Sequence, residues 1–134
     1  MKTLVIMRGI SGAGKSTRAK EIAGVLGVIC SADDYFVGED GIYRFKPESI
    51  RYAHWQCEEN VVLAMINQTE LIVVDNTNTK KWEYKNYLHM AAMYSYEVKI
   101  EMVGNLTDVD LYFNRNTHGV PIESIKKMAA RFEL

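Results

Sequence analysis

The eight residues 9–16, GISGAGKS, constrain this chain more than any other feature. They fit the pattern G-x-x-x-x-G-K-[ST] and lie between an apolar strand and a segment of helical periodicity, the context in which this pattern binds phosphate. The glycines allow a tight turn that points several backbone N–H groups at one place, where the oxygens of a nucleotide phosphate fit. A plain turn would need neither the lysine nor the hydroxyl groups that follow. The pattern therefore predicts a nucleotide-binding loop.

The side chains that close the loop have separate expected contacts. Lys15 is expected to reach between the β- and γ-phosphates, and the Ser16 hydroxyl is expected to bind Mg²⁺, which prefers hard oxygen ligands. The expected cofactors are thus ATP, or another NTP, and Mg²⁺. The predicted nucleotide-binding residues of this segment are Gly9, Ser11, Gly12, Ala13, Gly14, Lys15, Ser16 and Thr17.

Length and composition favour a single globular domain over residues 1–134, with 48% hydrophobic and 25% charged residues. The apolar runs are too short to span a membrane, so we expect no membrane partner. Cys30 and Cys57 lack metal-ligand spacing, which favours buried, reduced thiols in a cytoplasmic protein. The net charge of −1 gives no global attraction to nucleic acid, so any phosphate backbone must bind through a local patch.

Apolar strands alternate with helical patterns along the whole chain. Strands are predicted at 2–7, 28–30, 71–74 and 96–103, and the first helix is predicted to stop at Gly27. Further helices are predicted from Pro47 to about residue 68, and from the turn at residues 75–79 to about residue 95. Two more are predicted from a capping box at Thr107 and from residue 122 onwards. This order predicts an α/β fold with a doubly wound parallel sheet of about four strands. Ligands of such sheets bind beyond the carboxyl ends of the strands.

Carboxylates follow two of these strands. Asp33 and Asp34 come directly after the second strand, and one of them is a candidate general base for γ-phosphoryl transfer to an alcohol. The alternative is a turn with two solvated acids. Asp75 ends the third strand, where it either binds Mg²⁺ as a Walker B acid or caps a helix. Asn76, Thr77 and Asn78 are candidate substrate contacts, or they satisfy the backbone of the turn.

Basic residues supply the remaining candidates. Arg115 precedes a glycine near the end of the chain, where a lid arginine could stabilise a transferring phosphoryl group. Arg44 and Arg51 flank an aromatic stretch and could bind an acceptor phosphate beside a stacked base. The alternative for all three is a solvated basic surface. His54 lies on an apolar helix face, where a core histidine is more common than a ligand.

Four segments taken together resemble the kinase domain of polynucleotide 5′-hydroxyl kinases, especially phage ones: residues 9–17, 33–35, 75–78 and 115–121. The resemblance spans almost the entire chain. It implies a P-loop kinase-like fold with a C-terminal helical lid. It also implies Lys15 and Ser16 as phosphate and Mg²⁺ ligands, Asp33 as the general base, and Arg115 as a lid arginine on the donor phosphates.

Two positions depart from that family. Phe36 stands where the phage kinases have an arginine that holds a phosphate of the acceptor, and His118 replaces a second lid arginine. These changes leave donor binding intact and leave the identity of the acceptor open.

The leading hypothesis is transfer of the γ-phosphoryl group of ATP to the 5′-hydroxyl of RNA or DNA. One alternative is a kinase for a small, nucleoside-like alcohol, with Phe36 lining a more apolar acceptor pocket. Another is a nucleotide-binding module without catalysis. The oligomeric state is left open by the sequence.

Overall fold

A computed structural model describes residues 1–116 and 118–134 of the chain. Its four strands are β1 (Thr3–Arg8), β2 (Val28–Cys30), β3 (Leu71–Asp75) and β4 (Glu97–Met102). They form one sheet in the order β2-β3-β1-β4, and every neighbouring pair runs parallel. The predicted α/β class and the four-stranded, doubly wound parallel sheet are therefore confirmed.

The described residues contain five α-helices: α1 (Lys15–Ala23), α2 (Ile50–Ile66), α3 (Lys85–Tyr94), α4 (Val109–Arg115) and α5 (Ile122–Arg131). Short 3₁₀ turns cover Ala32–Phe36, Pro47–Ser49 and Lys81–Tyr84. Alternate residues of β1 enter two different cores, because Leu4 and Ile6 pack with α2 and α3 whereas Val5 and Met7 pack with α1. Burial on both faces explains the unbroken apolar run of this strand.

The last two helices pack on the glycine-rich loop, residues 9–16, rather than on a face of the sheet. Ile10 and Ala13 of this loop share a separate apolar cluster with Tyr112 of α4 and Ile125 of α5. This cluster positions Arg115 and Asn116, at the end of α4, near the carboxyl edge of the sheet.

Two predicted boundaries are wrong. Helix α1 ends at Ala23, before Gly27, because Gly24 already adopts a positive φ of 58° and bonds its N–H to the Lys20 carbonyl. Helix α4 starts without a Thr107 cap, since the Asn105 side chain instead accepts from the N–H groups of the turn at 2.9 Å.

Cys30 and Cys57 are free and buried, as expected. Within the described ranges, no helix has both the length and the apolar character needed to cross a membrane.

Candidate functional site

A cleft of about 470 Å³ opens at the carboxyl edge of the sheet. The glycine-rich loop, the ends of β2 and β3, and the segment after α4 form its walls, as expected for this class of sheet. The predicted site residues that line it are Ser11, Gly12, Gly14, Lys15, Ser16, Thr17, Asp33, Asp75, Thr77 and Arg115. The fold thus brings together residues from four separate parts of the sequence.

Two glycines shape the loop in different ways. Gly12 has φ of 84°, and a Cβ there would lie 2.1 Å from the Tyr112 carbonyl oxygen, so α4 packs directly on the loop backbone. Gly14 has φ of 100°, and a Cβ there would have no neighbouring atom within 4 Å, so this position needs glycine for backbone conformation alone.

Ser16 and Asp75 form the link between α1 and β3. The Ser16 hydroxyl donates to Oδ2 of Asp75 at 2.9 Å, and the Asp75 side chain is buried. This arrangement places a hydroxyl and a carboxylate oxygen side by side in the cleft. Both are hard oxygen donors of the kind that Mg²⁺ prefers.

Lys15 is half-buried beside this pair, and its Nζ donates to the Ile10 carbonyl at 3.4 Å. Loss of water contact lowers the pKa of Lys15, and the nearby carboxylates of Asp75 and Asp33 oppose that shift. A poorly hydrated cation with one long hydrogen bond is well suited to an incoming anion.

Asp33 is contacted by two aromatic side chains from distant segments. The Tyr43 hydroxyl lies 3.4 Å from Oδ1 of Asp33, and Nδ1 of His118 lies 3.5 Å from Oδ2. The Tyr43 and His118 rings stack with centroids 4.1 Å apart and planes 14° from parallel. Partial burial, followed by the Asp33 carboxylate, raises the pKa of Tyr43 to about 12. These three residues are called the Asp33 clasp below.

Arg115 extends from the end of α4 back to the loop. Its Nη2 donates to the Gly12 carbonyl at 2.9 Å, and its guanidinium lies 5.3 Å from the centre of the Tyr112 ring. The exposed side chain therefore stands at the rim of the cleft, next to the loop that would hold phosphate.

Several expected contacts lie elsewhere. Asn78 is 2% exposed, and its Nδ2 donates to the Met7 carbonyl at 2.8 Å, so it holds the backbone of the turn and does not face a substrate. Arg44 forms an ion pair with Asp40 at 2.7 Å, outside the cleft. Arg51 lines a different groove.

The remaining expected residues are near the cleft but do not line it. The Ala13 side chain is buried in the cluster under α4 and α5, and Gly9 packs so closely that a Cβ would lie 2.6 Å from the Val103 carbonyl oxygen. Asp34 is exposed beside the cleft.

Phe36 corrects the expectation of an apolar acceptor pocket. It is 7% exposed and packs edge-on against Tyr35, Tyr43 and Phe45. The side chain is thus part of the core and does not line the cleft. His54, expected in the core, is half-buried and lines the same groove as Arg51.

Two further residues of the site were not assigned from the sequence. Lys20 and Asn116 also line the cleft. Lys20 lies on α1 soon after the glycine-rich loop, and Asn116 directly follows Arg115. Their closeness in sequence to predicted site residues is the only feature of the sequence that indicates a place in the cleft.

Asn76 bridges the end of β3 and two other elements. Its Oδ1 accepts from the Ala32 N–H at 2.8 Å, and its Nδ2 lies 3.6 Å from the Cys57 sulfur. Asn76 also lines the cleft. It therefore fixes the end of β3 against the turn that carries Asp33.

Arg8 is a buried cation just before the glycine-rich loop, 3% exposed. Its guanidinium donates to the carbonyls of Asn78 at 2.9 Å and Thr79 at 3.2 Å, and also to the carbonyl of Glu133. The rings of Tyr84 and Phe132 lie 5.0 and 4.7 Å from it. Arg8 thus joins the loop after β3 to the C-terminal segment.

Comparison with known proteins adds three findings. A family model described as an AAA domain matches residues 4–134. Human NEDD4-binding protein 2 is 31% identical over 140 residues, which cover 97% of this chain and 8% of that protein. The chain therefore spans less than a tenth of the length of this relative.

Solved structures share the fold at lower identity. A chain of the Pnkp1/Rnl/Hen1 RNA repair complex superposes with a TM-score of 0.74 at 19% identity, covering 97% of this chain and 43% of that one. A gluconokinase from Sinorhizobium meliloti superposes with a TM-score of 0.66 at 15% identity, covering 98% of this chain and 75% of that one. At these identities the likeness concerns the fold.

Proposed function

This chain belongs to the P-loop family whose model is described as an AAA domain, and we propose that it is an ATP-dependent kinase that acts on the 5′-hydroxyl of RNA or DNA. One observation carries the proposal. A single cleft is lined by Lys15, the Ser16–Asp75 pair, Arg115 and the Asp33 carboxylate. These are the parts that phosphoryl transfer needs: cations for the donor phosphates, a metal site, and a base for the acceptor.

The donor side follows from the loop. As a Walker A segment, its backbone N–H groups and Lys15 bind the β- and γ-phosphates. The oxygens of Ser16 and Asp75 would hold Mg²⁺, which neutralises phosphate charge when bound. Arg115 exchanges its hydrogen bond with the Gly12 carbonyl for the donor phosphates.

The acceptor side depends on Asp33. Its carboxylate orients the acceptor hydroxyl and accepts the proton as the hydroxyl oxygen bonds to the γ-phosphorus. The bond between that phosphorus and the bridging oxygen of the β-phosphate breaks, which gives a 5′-phosphomonoester and ADP. Lys15 and Arg115 counter the charge on the transferring group throughout.

The choice of a polynucleotide acceptor has two supports. The Asp33-Asp34-Tyr35 and Arg115–Pro121 segments resemble polynucleotide 5′-hydroxyl kinases, and the fold is close to that of a chain in an RNA repair complex. We also propose a cytoplasmic location, since both cysteines are free and buried.

A second candidate function is phosphorylation of a small alcohol such as a nucleoside. The observation that favours it is Phe36, because this buried ring supplies no cation for an acceptor phosphate. The similar fold of a gluconokinase agrees with this candidate.

The test is incubation with γ-labelled ATP and Mg²⁺ against 5′-hydroxyl RNA, 5′-hydroxyl DNA and nucleosides. The Asp33→Asn variant is expected to lose at least about 10²-fold in kcat, the usual share of a general base, and to bind ATP as tightly as the original chain. Asp110→Asn makes the same chemical change at an exposed position of α4 and is expected to leave kcat unchanged.

Each other outcome has a definite meaning. Label on nucleosides alone selects the small-molecule kinase. Nucleotide binding without transfer to any acceptor contradicts the kinase assignment. Loss of kcat in Asp34→Asn, with Asp33→Asn active, moves the base to the neighbouring carboxylate.

A further inference from the structure

A second groove, of about 760 Å³, lies between the start of α2 and the 3₁₀ turn before α3. It is called the tryptophan groove here, and its lining includes Arg51, Trp55, Lys80, Trp82 and Arg131. None of the functions assigned above to the cleft uses these side chains.

The tryptophan groove and the cleft are both lined by the loop that follows β3. Thr77 lines the cleft and Lys80 lines the groove, and both belong to the loop that follows β3. Three residues of extended chain span at most about 10 Å. A polymer that lies beside Thr77 in the cleft therefore needs at most about 10 Å of additional length to reach Lys80 at the edge of the groove.

Both tryptophans of the chain lie in this groove. Trp55 is 56% exposed and Trp82 is 74% exposed, although such large rings are usually buried. Tyr52 packs edge-on against Trp55 with centroids 5.4 Å apart, which restrains one of the two rings. Two exposed indole rings in one concavity indicate a surface that binds something flat and apolar.

The charges around the rings favour an anion. Arg51, Lys80 and Arg131 supply positive charge, and across residues 1–116 and 118–134 neither Arg51 nor Lys80 has a carboxylate within ion-pair distance. Arg131 is held in place by a hydrogen bond from its Nε to the Thr79 hydroxyl at 3.1 Å.

The two carboxylates of the groove already accept hydrogen bonds. Glu58 accepts from the Asn86 side chain at 2.6 Å. Glu83 accepts from the Thr79 hydroxyl at 2.6 Å and from the Lys80 N–H at 3.2 Å. These carboxylates therefore already accept hydrogen bonds from groups of the chain itself. The positive charges of Arg51, Lys80 and Arg131 favour an anionic ligand.

We propose that the tryptophan groove binds the single-stranded polynucleotide that follows the 5′-terminal nucleotide of the acceptor. This inference rests on the proposed function and narrows its substrate class. Bases stack on Trp55 and Trp82, and the backbone phosphates contact Arg51, Lys80 and Arg131. Exposed aromatic faces interleaved with cations are the combination by which proteins bind single strands without reading sequence.

The span from Thr77 to Lys80 sets the acceptor length at which contact with the groove is expected. A step of about 10 Å equals roughly three stacked nucleotides at about 3.4 Å each. Acceptors of four or more nucleotides reach both the cleft and the groove, whereas a nucleoside occupies the cleft alone. The KM for the acceptor should therefore fall sharply between two and four nucleotides.

The test uses the intrinsic fluorescence of the two tryptophans, with no ATP present. Unlabelled 5′-hydroxyl oligonucleotides of two, four and eight nucleotides are titrated into the full chain, with a nucleoside as the control ligand. Quenching that saturates with the longer oligonucleotides, and not with the nucleoside, supports the proposal. Trp55→Phe and Trp82→Phe each leave one reporter and keep a ring for stacking, so both should still be quenched.

Substitutions separate stacking from charge. Trp55→Ala combined with Trp82→Ala is expected to weaken oligonucleotide binding at least about tenfold, since each stacked base contributes about 1–3 kcal/mol. Arg51→Ala should reduce the salt slope of binding by about 0.7, the value for one single-strand phosphate contact. Lys99→Ala removes the same charge from the exposed surface of β4 and should leave the slope unchanged.

Failure of this inference can be told apart from failure of the kinase assignment. If the double alanine variant phosphorylates oligonucleotides with an unchanged KM, the groove assignment is wrong and the kinase stands. If oligonucleotides quench the fluorescence but no acceptor is phosphorylated, the groove binds nucleic acid and the kinase assignment fails. Quenching by polyglutamate but not by oligonucleotides would assign the groove to an acidic peptide and overturn the proposal.

Discussion

Replacing Arg8 by methionine is expected to lower the free energy of unfolding by about 4 kcal/mol. The substitution keeps most of the apolar stem and removes the guanidinium, which makes hydrogen bonds to three carbonyl groups and lies between two aromatic rings. Hydrogen bonds to a charged group contribute about 1.5–3 kcal/mol each. Three such bonds would exceed 4 kcal/mol, but the variant no longer has to bury a cation, which offsets part of the loss.

Urea unfolding measures this loss directly. With a slope of about 2 kcal/mol per molar urea, a loss of about 4 kcal/mol lowers the unfolding midpoint by about 2 M. Arg8→Lys is the matched variant, because it keeps the charge but replaces a planar fork that reaches several carbonyls with a single ammonium. Its midpoint should fall between those of the original chain and Arg8→Met.

A loss below about 1 kcal/mol in Arg8→Met would refute the reasoning, because it would mean that the three carbonyl groups find other partners at little cost. Equal midpoints for the lysine and methionine variants would show that the geometry of the guanidinium matters and its charge does not.

Three further outcomes are expected. Gly14→Ala and Gly41→Ala both place a side chain at positive φ in open space, so each should lower the free energy of unfolding by about 1–2 kcal/mol. Only Gly14→Ala should also weaken nucleotide binding, which calorimetry with ATP would measure. Ser16→Ala should abolish the Mg²⁺ dependence of nucleotide binding while Ser16→Thr retains it, and equal Mg²⁺ titrations for the two variants would exclude the hydroxyl as a ligand. Burial raises the pKa of the Cys30 thiol to about 12, so iodoacetamide at pH 8 should label this thiol only when the chain is unfolded in urea. For the same reason, the free energy of unfolding should decline as the pH rises from about 9 towards about 12. Rapid labelling of the folded chain would contradict this reasoning.

The sheet and the glycine-rich loop at its edge could be predicted from the sequence, because both depend on local patterns of residues. The apolar run of β1 and the glycines at residues 9–14 identify themselves without tertiary contacts. Arg8 was not anticipated, since a cation after an apolar strand usually marks the point where the chain reaches water. Its carbonyl partners are at residues 78, 79 and 133, which no local pattern connects to it.

Asn78 is a residue for which the sequence offers two roles. The sequence leaves this residue open between contacting a substrate and satisfying the backbone of the turn, and the structure shows the second, since Asn78 has φ of 47° and its Nδ2 donates to the Met7 carbonyl. The Asp33 clasp was missed for another reason. Tyr43 and His118 are each ordinary loop residues in the sequence, and their stacking depends on how the lid packs across the cleft.

The Asp33 clasp has a consequence for a resting enzyme that holds ATP but has no acceptor. The carboxylate that would activate an attacking hydroxyl is then in contact with Tyr43 and His118, so it is poorly placed to activate a stray water molecule. An acceptor that displaces these contacts would free the base at the moment when productive transfer is possible. On the proposed function, the same three side chains that border the catalytic position therefore limit the idle hydrolysis of ATP.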